Sequence, residues 1–366
     1  MSSSTRRDIE AEGGARASGP QGPVPVVGRR RLLELDGLRG VAVLLVVLSH
    51  TAERTVPYGG VIGVTVFFVL SGYLITGRLV AEHESTGRIS LRDFWIRRAA
   101  RLAPAFVLLL AAVPAVAWLL GDPAAERYLR TAPFLALQAG DYLRAVGVPL
   151  GAYEHTWSLA VEEQFYVLWP ILVAVVLSVR GRALPWVALG STAVFLAWRV
   201  TAAATLPYDW VAYSFDTSAY ALLLGCSTAL WQARRHRALP ASVAVAGVGV
   251  LCLASVCTVP WLDGPSWDLA RWLEPAAAIV AVLVVTASES GVRLLRWRVL
   301  RWFGQISYGL YLWHYLVLSV RPGGVESSGV LRVVLLVASI GVAAVSWHLV
   351  EQPVLRRVHA RLHRRA

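Results

Sequence analysis

Residues 61–80 read VIGVTVFFVLSGYLITGRLV, an apolar run that holds a single charged residue, Arg78. As a helix, twenty residues span about 30 Å, which is the thickness of the hydrocarbon core of a bilayer. Comparable runs follow one another along the chain, at 38–53, 61–80, 102–121, 156–178, 184–203, 214–232, 239–259, 269–288, 303–320 and 330–350. The pattern predicts an all-α, polytopic membrane bundle of about ten transmembrane helices.

The composition and the placement of charge agree with this class. The 366 residues are 56% hydrophobic and 16% charged, whereas a soluble domain carries about 25% charged residues. The net charge is +12, and all 35 basic residues are arginines. Of these, 27 fall in segments assigned to the cytoplasm, as the positive-inside rule expects, so no nucleic-acid partner is predicted. Ten crossings put both termini on the cytoplasmic side of the plasma membrane.

The chain divides into one membrane domain and two tails. Residues 1–31 are rich in Ser, Gly, Pro and Arg, have no signal-peptide core and are predicted to be a disordered cytoplasmic tail. Residues 32–357 form the membrane domain, and 358–366 a basic cytoplasmic tail. Residues 122–155 are expected to be an outer-face loop with an interfacial or re-entrant piece.

Polar groups inside membrane helices are costly, which makes each of them a candidate site residue. Arg39 and His50 are eleven residues apart, about 16.5 Å along a helix and within about 20° of the same face. An extended pantetheine arm has comparable reach, so phosphates at Arg39 would bring a thioester near His50. Histidine can accept a hydroxyl proton near neutral pH. The alternative is an interfacial histidine that hydrogen-bonds a loop carbonyl.

A second basic group precedes the third apolar run. Arg98 and Arg101 are three residues apart and share a helix face, with Arg97 beside them. Guanidinium groups suit phosphate binding, and we expect Arg98 and Arg101 to join Arg39 in binding it. The alternative is that these arginines only anchor the helix at the membrane interface.

A third group enters the fourth run. His155, Ser158 and Glu162 fall on one helix stripe at the predicted depth of His50. A carboxylate there could fix an imidazole tautomer and stabilise its charged form. The alternative is a helix N-terminus at which acidic residues complement the dipole.

A fourth group, Ser307, Tyr311 and His314, forms a polar stripe on an aromatic helix. Such a stripe faces the interior of the bundle, where it would line an acyl tunnel or an acceptor pocket. The alternative is interhelical hydrogen bonding that holds the bundle together.

Other residues and motifs are weaker evidence for a functional site than these four groups. Ser71, beside Gly72, is predicted to permit close helix packing, and His348 and Glu351 to mark the end of the last helix. The nucleophile elbow, the Walker motif and the His-Glu-x-x-His motif do not occur. The cysteines at 226, 252 and 257 lie in apolar runs without metal or disulfide spacing, so no metal is predicted.

Taken in order, the motifs resemble those of the acyltransferase-3 family over about residues 32–357. The segments that carry the resemblance are Arg39-x10-His50, Phe67–Ile75, Arg98-x-x-Arg101, His155–Tyr166, Ile306–His314 and Leu349–Pro353. The resemblance implies a ten-helix core, an acyl-CoA donor that enters from the cytoplasm and an essential His50. It also implies importance for the residues at 39, 98, 101 and 162.

These expectations combine into one function, the transfer of an acyl group, acetyl or short-chain, from acyl-CoA to a hydroxyl. Acyl-CoA is expected as a donor substrate, with no permanently bound cofactor. His50, supported by Glu162, either deprotonates the acceptor hydroxyl or accepts the acyl group itself, and both roles stay open. His155, Ser158, Tyr311 and His314 are expected to contact substrate.

The resemblance also bears on the acceptor. No segment resembles the SGNH-type hydrolase domain of some relatives, so a two-domain relay to peptidoglycan or lipopolysaccharide is not expected. Single-domain relatives modify macrolides, other secondary metabolites and exported glycans. The all-arginine, Ala/Val-rich usage suggests a GC-rich bacterium and, by association, antibiotic biosynthesis.

Two other classes of function fit a polar membrane bundle. A transporter or flippase would also place His, Glu and Arg inside ten helices, although no inverted halves are visible in the sequence. A non-catalytic partner of a surface-glycan machine is the second alternative. Release of coenzyme A distinguishes the acyltransferase from both.

Overall fold

The computed structural model describes residues 33–235, 238–256, 272–320 and 328–363. In these ranges the chain is helical and contains no strand. The all-α class is therefore confirmed. The predicted N-terminal tail, Cys257 and the last three residues of the basic C-terminal tail lie outside the described residues.

The described residues form fifteen α-helices. Their bounds are α1 Leu33–Thr51, α2 Gly59–Thr86, α3 Leu91–Leu119, α4 Ala125–Ala136, α5 Gly140–Ala145, α6 Thr156–Arg180, α7 Leu184–Thr205, α8 Tyr208–Tyr213, α9 Phe215–Arg235, α10 Ala241–Val256, α11 Glu274–Ser288, α12 Arg298–Gln305, α13 Ser307–Ser319, α14 Gly329–Ser346 and α15 Gln352–His363. A π-helical turn, Trp347–Glu351, joins α14 to α15. Helix α15 thus includes the first residues of the predicted basic tail.

Each of the ten apolar runs overlaps a helix, namely α1, α2, α3, α6, α7, α9, α10, α11, α13 and α14. By length and composition, four helical segments of the described chain can cross a membrane. They are Gly59–Thr86, Leu91–Leu119, Thr156–Thr205 and Gly329–Leu362. The membrane class is supported by these segments, and the number of ten crossings stays a prediction.

Helices α2 and α9 pack with their backbones in contact. A Cβ added to Gly72 would lie 1.8 Å from the carbonyl oxygen of Leu222, and one added to Gly225 would lie 2.0 Å from that of Val69. Helix α12 meets α1 in the same way at Gly304. Small residues allow this close approach between apolar helices, where packing rather than water exclusion drives association. The contacts fix α1 and α2, which carry much of the site.

The segment between α3 and α6 packs against the bundle. Helices α4 and α5, of 12 and 6 residues, are too short to cross a bilayer. Asp141 on α5 is fully buried and accepts a hydrogen bond from Gln164 Nε2 at 3.0 Å, which ties α5 to α6. Burial raises the pKa of the Asp141 carboxyl to about 6. Tyr153 donates to the carbonyl of Leu110 in α3.

Candidate active site

A cavity rich in arginine opens among α1, α2, α3, α6 and α13, and we call it the arginine cavity. Its lining residues are Arg39, Val64, Phe67, Phe68, Ser71, Leu74, Ile75, Arg78, Arg98, Arg101, Leu102, Ser158, Leu159, Glu162, Tyr166, Ser307, Tyr308 and Tyr311. This set holds four guanidinium groups and one carboxylate, an excess of three positive charges. Low-dielectric walls strengthen the field of such a cluster, so the cavity is suited to an anionic group.

Arg98 is held in place by a network on α6 and α2. Its Cζ lies 3.5 Å from the centre of the Tyr166 ring, and its nitrogens lie 3.5 Å from Glu162 Oε2 and 3.6 Å from Glu163 Oε1. Glu162 in turn accepts hydrogen bonds from Ser71 Oγ at 2.7 Å and from the Tyr166 hydroxyl at 3.0 Å. Stacking on an aromatic ring and pairing with carboxylates are the contacts for which arginine is better suited than lysine.

The other predicted arginines divide between the cavity and the surface. Arg39 and Arg101 line the cavity, and Arg39 Nη2 lies 3.4 Å from Ser307 Oγ on α13. Arg97 is not among the lining residues and instead pairs with Glu82 at 3.7 Å. The adjacent positions 97 and 98 therefore have different surroundings, as the 100° step between helical neighbours requires.

A second cavity, the histidine cavity, lies at the other end of α1. Its lining residues are Val46, Ser49, His50, Glu53, Pro57, Gly60, Val61, Val64, Arg144, Glu154, His155, Trp157, Tyr213, Tyr311 and Tyr315. His50 Nδ1 lies 2.8 Å from the carbonyl oxygen of Val46. A carbonyl only accepts, so Nδ1 carries the proton, and the lone pair of the neutral imidazole is on Nε2. This tautomer can act as a base through Nε2.

Three imidazoles cluster at this cavity. The ring of His314 lies 5.2 Å from that of His50 and 5.3 Å from that of His155, and Tyr315 is 4.8 Å from both His50 and His155. His155 Nε2 donates to the carbonyl of Leu312, and His314 Nδ1 donates within its own helix. No group of three or more His, Cys, Asp or Glu among the described residues has the arrangement of a metal site.

The two cavities adjoin, because Val64 and Tyr311 line both of them. The hydroxyls of Ser158 and Tyr311 are 2.5 Å apart, and the Tyr311 hydroxyl also lies 2.8 Å from the carbonyl oxygen of His155. The predicted stripes on α6 and α13 thus meet at Ser158 and Tyr311. Both residues line a cavity and also bond between helices.

Glu162 has different surroundings from those its stripe suggested. It was expected beside His50, but it lines the arginine cavity and bonds to Arg98, Ser71 and Tyr166, and it is not among the lining residues of the histidine cavity. The reason is its depth along α6. Seven residues separate Glu162 from His155, which corresponds to about 10 Å along the helix axis.

Several lining residues were not predicted to belong to the site. Ser71 and Arg78 are seven apart on α2, and this helical spacing is a signal that could have paired them. The close packing expected at Ser71 is instead made by Gly72. At the histidine cavity, Arg144 forms a salt bridge with Glu154, and its Cζ lies 4.5 Å from the Tyr213 ring. These residues come from segments joined only by the tertiary fold.

Comparison with known proteins identifies the family. The model of an acyltransferase domain, that of acyltransferase-3, matches residues 32–350. The chain belongs to the acyltransferase-3 family. The acyltransferase-3 match includes both cavities, and it confirms the resemblance carried by the six motifs.

Two curated relatives of this acyltransferase-3 chain are bacterial. The protein named "Putative peptidoglycan O-acetyltransferase YrhL" of Bacillus subtilis is 32% identical over 348 residues, 87% of this chain and 54% of the relative. The peptidoglycan O-acetyltransferase OatA of Listeria monocytogenes is 30% identical over 352 residues, 89% of this chain and 56% of the relative. The chain spans about half the length of these relatives. No solved structure matches it significantly.

Proposed function

We propose that this protein is an integral membrane O-acyltransferase that moves an acyl group from acyl-CoA to a hydroxyl of a glycan or of a secondary metabolite such as a macrolide. One observation carries the proposal: an arginine-rich cavity adjoins a cavity that contains a histidine able to act as a base. The names of the relatives, which are O-acetyltransferases, support the reaction class and favour a glycan among the two kinds of acceptor.

The donor would bind through its phosphates. Coenzyme A carries several phosphate charges, and Arg39, Arg98 and Arg101 supply guanidinium groups to a cavity with three surplus positive charges. The thioester would then extend along α1 toward His50, about 16.5 Å from Arg39 along the helix. We place the arginine cavity on the cytoplasmic side of the plasma membrane, where acyl-CoA is available, with both termini on that side.

In the proposed chemistry, His50 acts as a general base. Its Nε2 accepts the proton of the acceptor hydroxyl, and the oxygen attacks the thioester carbonyl carbon. The carbon–sulfur bond breaks, the imidazolium returns the proton to the leaving thiolate, and the products are an ester and free coenzyme A. The Val46 carbonyl accepts from Nδ1, which orients the ring and stabilises its charged form.

The acceptor would occupy the histidine cavity. Aromatic rings from Trp157, Tyr213 and Tyr315 and the charged pair Arg144 and Glu154 form part of its wall. Binding sites commonly combine apolar and aromatic faces with a few polar groups that set orientation. A hydroxyl-bearing molecule matches such a wall.

The test is release of the coenzyme A thiol by purified protein in nanodiscs, with acetyl-, propionyl- and isovaleryl-CoA as donors. We expect His50→Ala to lower release by about 10²–10⁴-fold, the usual contribution of a general base. The matched control is His83→Ala at the distant end of α2, which should retain wild-type release. Mass spectrometry of glycan and macrolide acceptors then distinguishes the two classes.

Two outcomes would contradict the proposal. A folded His50→Ala protein that retains full acyl transfer would remove His50 from the mechanism. Failure of the folded wild type both to bind and to cleave every acyl-CoA would instead favour the transporter hypothesis.

A further inference from the structure

The course of two helices shows where the cavities join. On α2, Val61 lines only the histidine cavity, Val64 lines both cavities, and Phe67, Phe68 and Ser71 line only the arginine cavity. The side of α2 that faces the site therefore passes from one cavity to the other at Val64.

Helix α13 also lines both cavities, but in the reverse order: its N-terminal part lines the arginine cavity and its C-terminal part the histidine cavity. Ser307 and Tyr308 line only the arginine cavity, Tyr311 lines both, and Tyr315 lines only the histidine cavity. On each of these two helices, a single residue therefore lines both cavities. Val64 and Tyr311 mark the junction, which we call the shared wall.

The tyrosine side of the shared wall is firmly held. Tyr311 is 6% exposed, and its hydroxyl makes hydrogen bonds to Ser158 Oγ at 2.5 Å and to the carbonyl oxygen of His155 at 2.8 Å. The ring of Phe67 meets the ring of Tyr311 edge to face, with centroids 6.5 Å apart. Any displacement of the phenol would break two buried hydrogen bonds, which is costly.

The valine side is apolar and branched at Cβ. Val64 is 7% exposed, and its side chain occupies the one α2 position that both cavities share. A β-branched side chain has little χ1 freedom in a helix, so it does not readily move aside. The shared wall is therefore held in place on both sides, by hydrogen bonds at Tyr311 and by the restricted side chain at Val64.

We infer that the shared wall is the subsite for the transferred acyl group and that Val64 limits its length to acetyl or propionyl. This inference rests on the proposed function, because phosphates in the arginine cavity and a base in the histidine cavity require the thioester to lie between them. A short acyl chain fits against the valine and the phenol ring, whereas each further methylene meets Val64.

The experiment compares chain-length preference in two valine variants of α2. Val64→Ala removes the side chain at the shared wall, while Val66→Ala makes the same truncation at a buried residue that lines neither cavity. The measurement is kcat/KM for acetyl-, propionyl- and butyryl-CoA in nanodiscs. We expect the butyryl-to-acetyl ratio to rise about tenfold or more in Val64→Ala, since one methylene in a pocket changes the ratio by about 10–200-fold.

In the Val66→Ala control the ratio should stay within about twofold of wild type. A second variant, Tyr311→Phe, keeps the ring but loses both hydrogen bonds, and it should move the ratio in the same direction as Val64→Ala. Size-exclusion profiles and thermal unfolding verify that each variant is folded.

The outcomes separate the inference from the function on which it rests. If wild type releases coenzyme A and the ratio in Val64→Ala equals that in Val66→Ala, the acyl subsite is wrong and the acyltransferase stands. If the folded wild type releases coenzyme A from none of the donors and binds none, both are overturned.

Discussion

Ser71 Oγ donates to Glu162 Oε1 across 2.7 Å and so joins α2 to α6 inside the arginine cavity. Glu162 also accepts from the hydroxyl of Tyr166, and its second oxygen lies 3.5 Å from Arg98. The carboxylate is thus oriented by two hydroxyls and in turn orients a guanidinium. Ser71 is a positioning residue in this arrangement, because it acts on a bound anion through Glu162 and Arg98.

Replacing Ser71 with alanine is expected to raise the KM for acyl-CoA about tenfold and to leave kcat almost unchanged. A hydrogen bond to a charged group contributes about 1.5–3 kcal/mol, of which part reaches Arg98. Ser71→Thr keeps the hydroxyl and should restore much of the affinity. The control is Ser178→Ala, at an exposed serine that bonds within its own helix. An equal KM in Ser71→Ala and Ser178→Ala would remove Ser71 from donor binding.

The neighbouring arginines 97 and 98 offer a matched pair for the donor site. Arg98→Lys loses the stack on Tyr166 and the forked contact with the two glutamates, so we expect the KM for acyl-CoA to rise about tenfold or more. Arg97→Lys keeps a charge opposite Glu82 outside the cavity and should change KM less than about twofold. Steady-state thiol release measures both, and equal effects would indicate that the cavity does not bind the donor.

Features that depend on a single helix could be predicted from the sequence. Apolar length predicted the helices, and helical spacing predicted that Arg39 and His50 lie along α1 and that Ser158 and Tyr311 each belong to a polar stripe. In the structure Arg39 and His50 line separate cavities, and Ser158 meets Tyr311. Spacing within a helix fixes which residues share a face.

Features that depend on the offset between two helices were not predictable in this way. Periodicity places Glu162 and His155 on one stripe, but it does not say which residue of another helix lies opposite each of them. Glu162 is therefore opposite Ser71 and Arg98 rather than beside His50. The packing of α2 against α9 was unpredictable in the same way, because Gly72 and Gly225, which allow it, are visible in the sequence only as isolated glycines.

The contact between α2 and α9 makes Gly72 sensitive to a single methyl group. A Cβ at Gly72 would lie 1.8 Å from the backbone oxygen of Leu222, so the two helices would have to separate. We expect Gly72→Ala to lower the melting temperature in detergent by several degrees, as overpacking costs about 1–3 kcal/mol or more. Gly190→Ala, on α7 with no atom within 4 Å of the added Cβ, should be neutral or stabilising. Equal melting temperatures for the two variants would contradict the close packing.

The stability of the segment between α3 and α6 should depend on pH through Asp141. This carboxyl is buried, its Oδ1 accepts from Gln164, and its Oδ2 has no hydrogen-bond partner among the described residues. Burial raises its pKa from 3.8 to about 6. The folded protein therefore binds this proton more tightly than the unfolded chain, so the contribution of Asp141 favours folding as pH falls from 7.5 to 5 and is lost as pH rises through 6.

Asp141→Asn imitates the protonated carboxyl at every pH, since it keeps an acceptor for Gln164 and cannot ionise. We expect the variant to melt at a higher temperature than wild type at pH 7.5, and the gap to shrink by about half as the pH is lowered to 5, because the stabilisation is complete only below the unfolded pKa of 3.8. Thermal unfolding in detergent at pH 5, 6 and 7.5 measures this gap. A gap that stays constant across that range would show that Asp141 is not the group that titrates. Because Gln164 joins Asp141 to α6, the same protonation should also reduce amide exchange at the start of α6, where His155 and Ser158 contribute to the site.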